Sequence, residues 1–444
     1  MKIEIPPRIM DFLRALWQGG FDAYIVGGCV RDNLLGKIPS DYDITTNATP
    51  DEMKACFSGF KVFETGLKHG TLTVYFKGIS AEITTFRIDG EYSDHRRPDG
   101  VFFTKSLKDD LARRDFTINS MAYSGGEIVD FFGGKEDISN EIIRCVGDAQ
   151  KRFSEDALRI MRAIRFAAAL GFSIEEKTEN ALILQKSLLN DIAVERFSAE
   201  LVKLICGDYC YQVLEKYVEI ISEIIPEIKP CIGFEQRNKY HKYTVWGHII
   251  KAVAEVKNER ILRLTMLFHD IGKPLCMRVS DDGQGHFGGH EEQSAAIAGK
   301  ILRRLKFDKD TISRVCLLIR VHHLNSECNS SGKTVKKILN ELGTEAFFQL
   351  LEVQRADAKS KQDFCRERLK LLDIEEISAK KILENGECFS LKQLAIKGGD
   401  LINLGVEPCK IGEILENILG QVINEKVPNE RETLMKILQS ENKI

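Results

Sequence analysis

Residues 25–46 read IVGGCVRDNLLGKIPSDYDITT. An apolar run leads into the pair Gly27-Gly28, then Arg31-Asp32, then Asp41 and Asp43 on either side of Tyr42. Carboxylates two residues apart on a strand point to the same side. Such a pair can hold Mg²⁺, a hard ion that prefers carboxylate and phosphate oxygen, and the glycines let backbone approach a triphosphate. Metal ions held this way serve phosphoryl transfer by steadying the attacking and leaving oxygens. A lone DxD is more often a solvated acidic pair, and the glycines and RD dipeptide upstream set this one apart.

Outward from that stretch, FDAYIVGG, GTLTVYF, AEITTFR and EIVDFFGG carry β-branched and aromatic residues bounded by glycine, which predicts strands and turns over residues 20–132. After Arg144 apolar residues recur at three and four, as in ALRIMRAIRFAAAL and YQVLEKYVEIISEII, which predicts helices for the rest. Pro226, Pro230 and Gly233 break that pattern before a histidine-rich block, and Gly386 with Gly398-Gly399 sets off a last segment. At 444 residues the chain exceeds one ordinary core. Its 63 Lys+Arg against 66 Asp+Glu exclude a globally basic RNA binder, so any nucleic-acid surface is a local patch. Twelve cysteines spread from Cys29 to Cys409 without a CxxC pair fit a reducing cytosol. The amphipathic N-terminus has no secretory apolar core, and no apolar run of membrane length follows.

Further motifs follow in order. RRDFTINSMAY holds Arg113, Arg114, Asp115 and Asn119, and guanidinium forks suit phosphate oxygens while a carboxylate suits ribose hydroxyls. RFSEDALRIMRAIRF holds Glu155, Asp156 and Arg159, with Arg162 and Arg165 continuing a spacing of three. That spacing predicts Asp156 and Arg159 on one helix face, where an ordinary ion pair is the plain alternative.

Taken together, these motifs resemble the class II tRNA nucleotidyltransferases, the family of bacterial CCA-adding enzymes and poly(A) polymerases. The resemblance implies a polymerase-β-like head with Asp41 and Asp43 as catalytic Mg²⁺ ligands and Glu82 as the third carboxylate. It implies nucleotide binding by Gly28, Arg31, Arg113, Asp115, Asn119, Asp156, Arg159, Arg162 and Arg165, with Asp156 and Arg159 reading the Watson–Crick edge of CTP or ATP. DGEYSDHRRPDGVFF, residues 89–103, resembles the flexible loop of the A-adding members. VERFSAELVKLI, with Glu195, Arg196 and Glu200, resembles the last motif and reads as structural support. GGDLINLGVEPCKIGEIL resembles the tail that grips tRNA, with Pro408-Cys409-Lys410 where the family has PGP.

A second constellation lies downstream, where seven of the nine histidines fall between His241 and His323. His248, His269-Asp270, His290, His322-His323 and Asp357 follow the order of the HD phosphohydrolase superfamily, which they resemble. The resemblance implies a metal on His248, His269, Asp270 and Asp357, with His290, His322 and His323 available to a second. Imidazole with carboxylate suits a transition metal such as Mn, Ni, Fe or Co. A degenerate HD fold kept as scaffold is the alternative.

The expected architecture is α+β. It comprises a nucleotidyltransferase head (1–143), an all-α neck (144–232), an HD domain (233–372) and a tRNA-binding tail (373–444). The expected activity is template-independent addition of CCA to the 3′ end of tRNA from CTP and ATP, with phosphohydrolase activity in the HD domain. A-only addition, poly(A) synthesis, an HD phosphohydrolase with an inactive head and a non-catalytic RNA binder are the alternatives. A cytoplasmic monomer or homodimer with no membrane contact is expected.

Overall fold

The computed structural model describes residues 3–90, 100–324 and 331–441. Two compact units divide at Pro226, inside the break expected from Pro226, Pro230 and Gly233. Residues 91–99, the centre of the segment likened to a flexible loop, lie outside the described residues.

The first unit opens with the helix Pro7–Gln18, whose Ile9, Phe12, Leu13 and Leu16 are buried at helical spacing. The strands are β1 (Ala23–Val26), β2 (Asp43–Thr46), β3 (Lys61–Gly66), β4 (Thr71–Phe76), β5 (Ile79–Thr85), β6 (Arg87–Asp89), β7 (Val101–Phe103), β8 (Met121–Ser124) and β9 (Glu127–Asp130). Seven of them form one sheet in the order β3-β4-β5-β2-β1-β8-β9, and β6 with β7 makes a separate ribbon. In β4 and β5 every second residue is buried (Leu72 and Val74; Ala81, Ile83 and Thr85), so one face packs on the first helix and the other is left for polar groups. Each such Leu, Ile or Phe contributes roughly 1.5–3 kcal/mol by leaving water.

The pairing of β2 with β5 is parallel, in register Asp43↔Glu82 through Thr46↔Thr85. A parallel neighbour cannot be reached by a hairpin turn. The chain between them supplies a helix, Pro50–Cys56, started by a reciprocal Thr49–Glu52 capping box, and the β3–β4 hairpin. The unit continues into helices, chiefly Leu158–Leu170 and Val194–Ile205. The expectation of no strand after Arg144 needs one small correction. Ile142–Ile143 pairs with Ser173–Ile174, and in the second unit Arg278–Val279 pairs with Gly285–His286. Two-residue strands carry no periodicity for a sequence to display.

The second unit is helical. Val245–Glu255, Arg260–Phe268, His290–Arg304, Lys309–Val321 and Thr344–Lys359 make its first part. Residues from Cys388 to Leu438, including Leu401, Leu419 and Leu434, form a hydrophobic cluster of their own. Among the described residues no helix is long and apolar enough to cross a membrane.

Gly207 lets the loop after Ile205 lie on Ala168. A Cβ there would meet the Ala168 carbonyl oxygen at 2.5 Å, and that oxygen accepts the Tyr209 N–H at 2.9 Å. Gly207→Ala is expected to cost about 1–3 kcal/mol by forcing backbone apart. Gly412→Ala, in a helix where a Cβ meets nothing within 4 Å, is expected to be neutral or up to about 1 kcal/mol stabilising. Thermal unfolding of both variants checks the contrast.

Candidate functional site

In the first unit β1 ends at Val26 and Gly27 takes φ 80°, a conformation that favours glycine, before the short helix Gly28–Leu34 begins. The open side of that turn faces the DxD element. Strand β2 begins at Asp43, so Asp41 precedes the strand, and its Oδ1 accepts the Ser40 hydroxyl at 2.9 Å. The expectation of both carboxylates within one strand is corrected accordingly. Glu82 stands opposite Asp43 on the neighbouring strand, and all three acidic residues are exposed. Partial withdrawal from water pushes the Asp43 carboxyl up, Arg114 opposes this, and Asp41 and Glu82 reinforce it. Converging carboxylates that repel one another are the donor set a hard divalent cation relieves.

Arg114, passed over in favour of Arg113, is the arginine nearest this centre. A Cβ on Gly27 would lie 3.0 Å from its Nη1. Arg113 turns the other way: its Nε and Nη2 reach Asp110 Oδ1 at 3.0 and 2.9 Å, and it lines a cavity of about 730 Å³ with Lys151, Arg152 and Glu155. Adjacent residues in a turn point apart, which the RRD string alone does not reveal.

A continuous network joins the remaining residues. Arg31 donates to Asp32 (2.8 Å) and to Asn119 Oδ1 (2.7 Å), the Asn119 amide donates to Asp115 Oδ1 (3.1 Å), and Arg162 grips Asp115 Oδ2 through Nε (2.7 Å) and Nη2 (2.6 Å). Burial alone would raise the Asp115 carboxyl, yet Arg162 and Asn119 outweigh it and hold it at about 2. Arg165 donates to Glu200 Oε2 at 2.8 Å and stacks on Phe166, 3.6 Å from the ring centroid. Glu200 thus supports a neighbouring helix, as the last motif was expected to do.

Asp156 and Arg159 do not share one helix face. The helix Ala149–Glu155 stops at Asp156 (φ −137°, ψ 101°), whose Oδ1 accepts the Leu158 N–H at 3.1 Å and so starts the helix Leu158–Leu170. An aspartate can cap from its own side chain and break a helix that spacing alone would continue. Arg196 binds Asp156 through both oxygens at 3.2 and 2.8 Å, and Arg159 donates to Glu155 (2.7 Å) and to the Arg152 and Arg113 carbonyls (3.0 Å each).

In the second unit the histidines gather at helix ends. His248 lies in the first turn of Val245–Glu255, His269-Asp270 follow Phe268, His290 starts its helix, His322-His323 follow Val321, and Asp357 is near the end of Thr344–Lys359. His248, His269 and Asp357 form one group and His290, His322 and His323 another, each with ligand atoms within 4.8 Å of one another. Asp270 spans both. Its Oδ2 is 3.1 Å from His248 Nε2 and 3.3 Å from His269 Nε2, and its Oδ1 is 3.2 Å from His290 Nε2.

The hydrogen bonds settle the tautomers. Nδ1 of His269, His290 and His322 lies 2.7, 2.7 and 2.6 Å from the carbonyls of Met266, Phe287 and Ile319, each three residues back. A carbonyl only accepts, so Nδ1 carries the proton and Nε2 presents its lone pair. Asp270 Oδ1, Asp357 Oδ1 and Nε2 of His290 and His322 are buried without a hydrogen-bond partner. Buried acceptors aimed at one another are costly unless a cation lies between them. The donor set fits a transition metal.

Four neighbours were not foreseen. Lys273 Nζ pairs with Asp270 Oδ2 at 2.6 Å, Lys361 Nζ with Asp357 Oδ2 at 2.5 Å, Glu291 Oε1 with His323 Nδ1 at 3.0 Å, and the His241 ring packs edge-on to His248. Lys273 and Lys361 stand three and four residues beyond their aspartates, a spacing that was available to read. His286 is exposed on its ribbon, where its Nε2 meets the Ser280 hydroxyl at 3.2 Å.

A parallel-register carboxylate cluster beneath a glycine turn, on this sheet, defines a polymerase-β-like nucleotidyltransferase head. Residues 23–144 match the poly A polymerase head domain, 171–232 the "Probable RNA and SrmB- binding site of polymerase A", and 290–438 tRNA nucleotidyltransferase domain 2. Over those three stretches the chain is similar to domains of poly A polymerases and tRNA nucleotidyltransferases. It is 50% identical over 222 residues to the CCA-adding enzyme of Lactobacillus helveticus, a stretch covering 50% of this chain and 55% of that one. The chain thus spans about half the length of such curated relatives. The Bacillus stearothermophilus CCA-adding enzyme in complex with CTP superposes with a TM-score of 0.72 at 28% identity, covering 99% of this chain and 98% of that one. The Thermotoga maritima CCA-adding enzyme complexed with tRNA shares the fold, with a TM-score of 0.65 at 21% identity over 100% and 99% of the two chains.

Asp115 carries a pH prediction. Its folded pKa of about 2 lies below the ordinary carboxylate value, so the stabilisation is complete above the unfolded pKa near 4 and is lost as pH falls through 2. The contribution is on the order of 2 kcal/mol. Urea unfolding of the protein and of Asp115→Asn from pH 7 to 2.5 should show a stability gap that narrows only below about pH 4.

Proposed function

We propose that the chain adds cytidine and adenosine nucleotides, without a template, to the 3′ end of tRNA, drawing on CTP and ATP to complete the CCA terminus. The observation that carries this reading is the register of Asp43 against Glu82 beside Gly27 and Arg114, linked to the Asp115–Asn119–Arg31–Arg162 network. The names of the relatives and the CTP bound by the Bacillus enzyme support it.

On this reading Asp41, Asp43 and Glu82 hold Mg²⁺, which neutralises the triphosphate and favours the attacking 3′-hydroxyl when bound. Gly27 and Gly28 admit the phosphates close to backbone, and Arg31 and Arg114 bind their oxygens. Asp115, ionised across the working range, accepts from ribose hydroxyls while Arg162 and Asn119 keep its orientation. Asp156 has its Oδ1 occupied by Leu158 and Arg196 and its Oδ2 met once, so Oδ2 retains capacity to accept an exocyclic amino hydrogen of C or A. Arg159, which here donates to Glu155 and to the Arg152 and Arg113 carbonyls, would supply the donor edge by exchanging one of those partners, and Arg113 and Arg165 border the nucleotide. The head, neck, HD domain and tail would then divide the work of chemistry, base selection, end clearance and tRNA grip.

The test uses tRNA lacking its 3′ terminus, Mg²⁺ and CTP, ATP or both, with the products sequenced. CCA addition that stops there, abolished in Asp41→Ala/Asp43→Ala, supports the reading. A single A added only after CC makes it an A-adding enzyme, long A tails make it a poly(A) polymerase, and no extension overturns it. Glu82→Gln is expected to lower kcat by about 100-fold or more, the scale of losing one preorganised electrostatic contact.

A second activity is favoured by the orphaned acceptors among the histidines. We infer that this cluster holds divalent transition metal (Mn, Ni, Fe or Co) on His248, His269, Asp270 and Asp357, with His290, His322 and His323 serving a second ion. Such an ion supplies Lewis acidity for water attack on a phosphate ester. An RNA end blocked by phosphate cannot accept a nucleotide, so hydrolysis there complements addition. Metal analysis of the purified protein should find transition metal that Asp270→Ala loses, since Asp270 touches both groups.

A further inference from the structure

The helix Leu158–Leu170 carries a phenylalanine, Phe166, to which the nucleotide reading gives no part. Its ring is buried, yet its near neighbours are cations. The guanidinium carbon of Arg165 lies 3.6 Å from the ring centroid, that of Arg31 5.0 Å and that of Arg162 5.4 Å. All three stand within the roughly 6 Å over which an aromatic face attracts a positive charge. They reach it from two parts of the chain. Arg162 and Arg165 precede Phe166 on its own helix, and Arg31 comes from the short helix Gly28–Leu34. Phe116, the residue after Asp115, meets the same ring edge-to-face at 5.8 Å and 83°.

Apolar packing alone would keep such charges away from a buried ring, because a guanidinium gives up water there. Like charges gathered around one ring also repel. Burial holds Arg165 below its ordinary value, Arg162 adds to that, and Glu200 opposes it. Carboxylates offset the repulsion, one to each arginine: Asp32 with Arg31, Asp115 with Arg162 and Glu200 with Arg165. Every such pair occupies N–H groups on the guanidinium edge, Nε and Nη2 of Arg31 and of Arg162 and Nε of Arg165. A ring works on the guanidinium face instead. It adds attraction and restrains the plane without occupying a donor, so the N–H groups that the carboxylates leave over stay directed to a ligand.

We infer that Phe166 is a positioning residue of the nucleotide site, whose ring gathers the guanidinium groups of Arg31, Arg162 and Arg165 by their faces and pre-sets them for an incoming nucleoside triphosphate. The inference rests on the nucleotidyltransferase reading and adds to it the device that assembles the arginines before the nucleotide arrives. Phe166 acts through those arginines and not on the nucleotide itself. Side chains ordered during folding lose less freedom on binding, which leaves more of the contact energy as affinity.

Calorimetric titration of the full chain with CTP and with inorganic triphosphate, in Mg²⁺ and without tRNA, tests it. Mono-, di- and trifluorinated phenylalanine at position 166 keep the shape of the ring while withdrawing negative charge from its face, so its attraction for cations weakens in steps. The Kd of both ligands is expected to rise with each fluorine and to reach about tenfold at the third, the scale of a desolvated cation–aromatic contact. Phe166→Tyr should keep the affinity, and Phe166→Leu should lose about as much as the trifluorinated ring. A Kd that stays flat across the fluorinated series overturns the inference, whatever the thermal midpoints of the same samples do, and leaves Phe166 as packing. A Kd that rises in Phe166→Leu alone overturns it too, since lost shape then accounts for the change. The unmodified chain tells the two claims apart. If it binds neither ligand, the nucleotide reading falls and takes this inference with it; if it binds both and adds CCA while the series stays flat, only the role of Phe166 falls.

Discussion

The parallel pairing of β2 with β5 is the constraint on which the first unit depends. Shifting that register by one residue would turn Asp43 or Glu82 to the buried face, where Ile44 and Ile83 now lie. The hydrophobic face therefore locks the acidic face. Burial of Leu72, Val74, Ala81 and Ile83 against the first helix stabilises the sheet and, in the same act, holds carboxylates together that would otherwise separate.

Charge is handled differently in the two units. In the head, acidic groups that repel are left exposed, while Asp115 is buried and strongly compensated by Arg162 and Asn119. In the second unit the aspartates are buried and partly matched by Lys273 and Lys361, yet several acceptors stay unsatisfied. Asp270 and Asp357 are both held well below the ordinary carboxylate value, against the pull of burial, by neighbouring His and Lys. A cluster built only as scaffold would gain by replacing such groups with apolar ones. Retaining them, with Nδ1 of His269, His290 and His322 tied to a carbonyl three residues back, orients Nε2 inward and is a costly arrangement for packing alone.

Much of this protein was legible before its structure. The change from strands to helices near Arg144, the break at Pro226 and the helical spacing of Phe12, Leu13 and Leu16 are local consequences of residue shape and periodicity, and a sequence displays those directly. The glycine turn before Arg31, the DxD carboxylates and the grouping of histidines were visible for the same reason, as residue types whose chemistry is unusual together. Tertiary structure alone decided the rest. Only the parallel register sets Glu82 against Asp43, only the turn at Asp115 sends Arg114 toward Gly27 and Arg113 away from it, and only a capping aspartate breaks the helix between Asp156 and Arg159. Arg196 on Asp156 and Phe364 beside Tyr240 are separated by 40 and 124 positions along the chain. Periodicity speaks for a few turns of helix or a few residues of strand, whereas contacts at that separation exist only once burial has selected one packing of the elements.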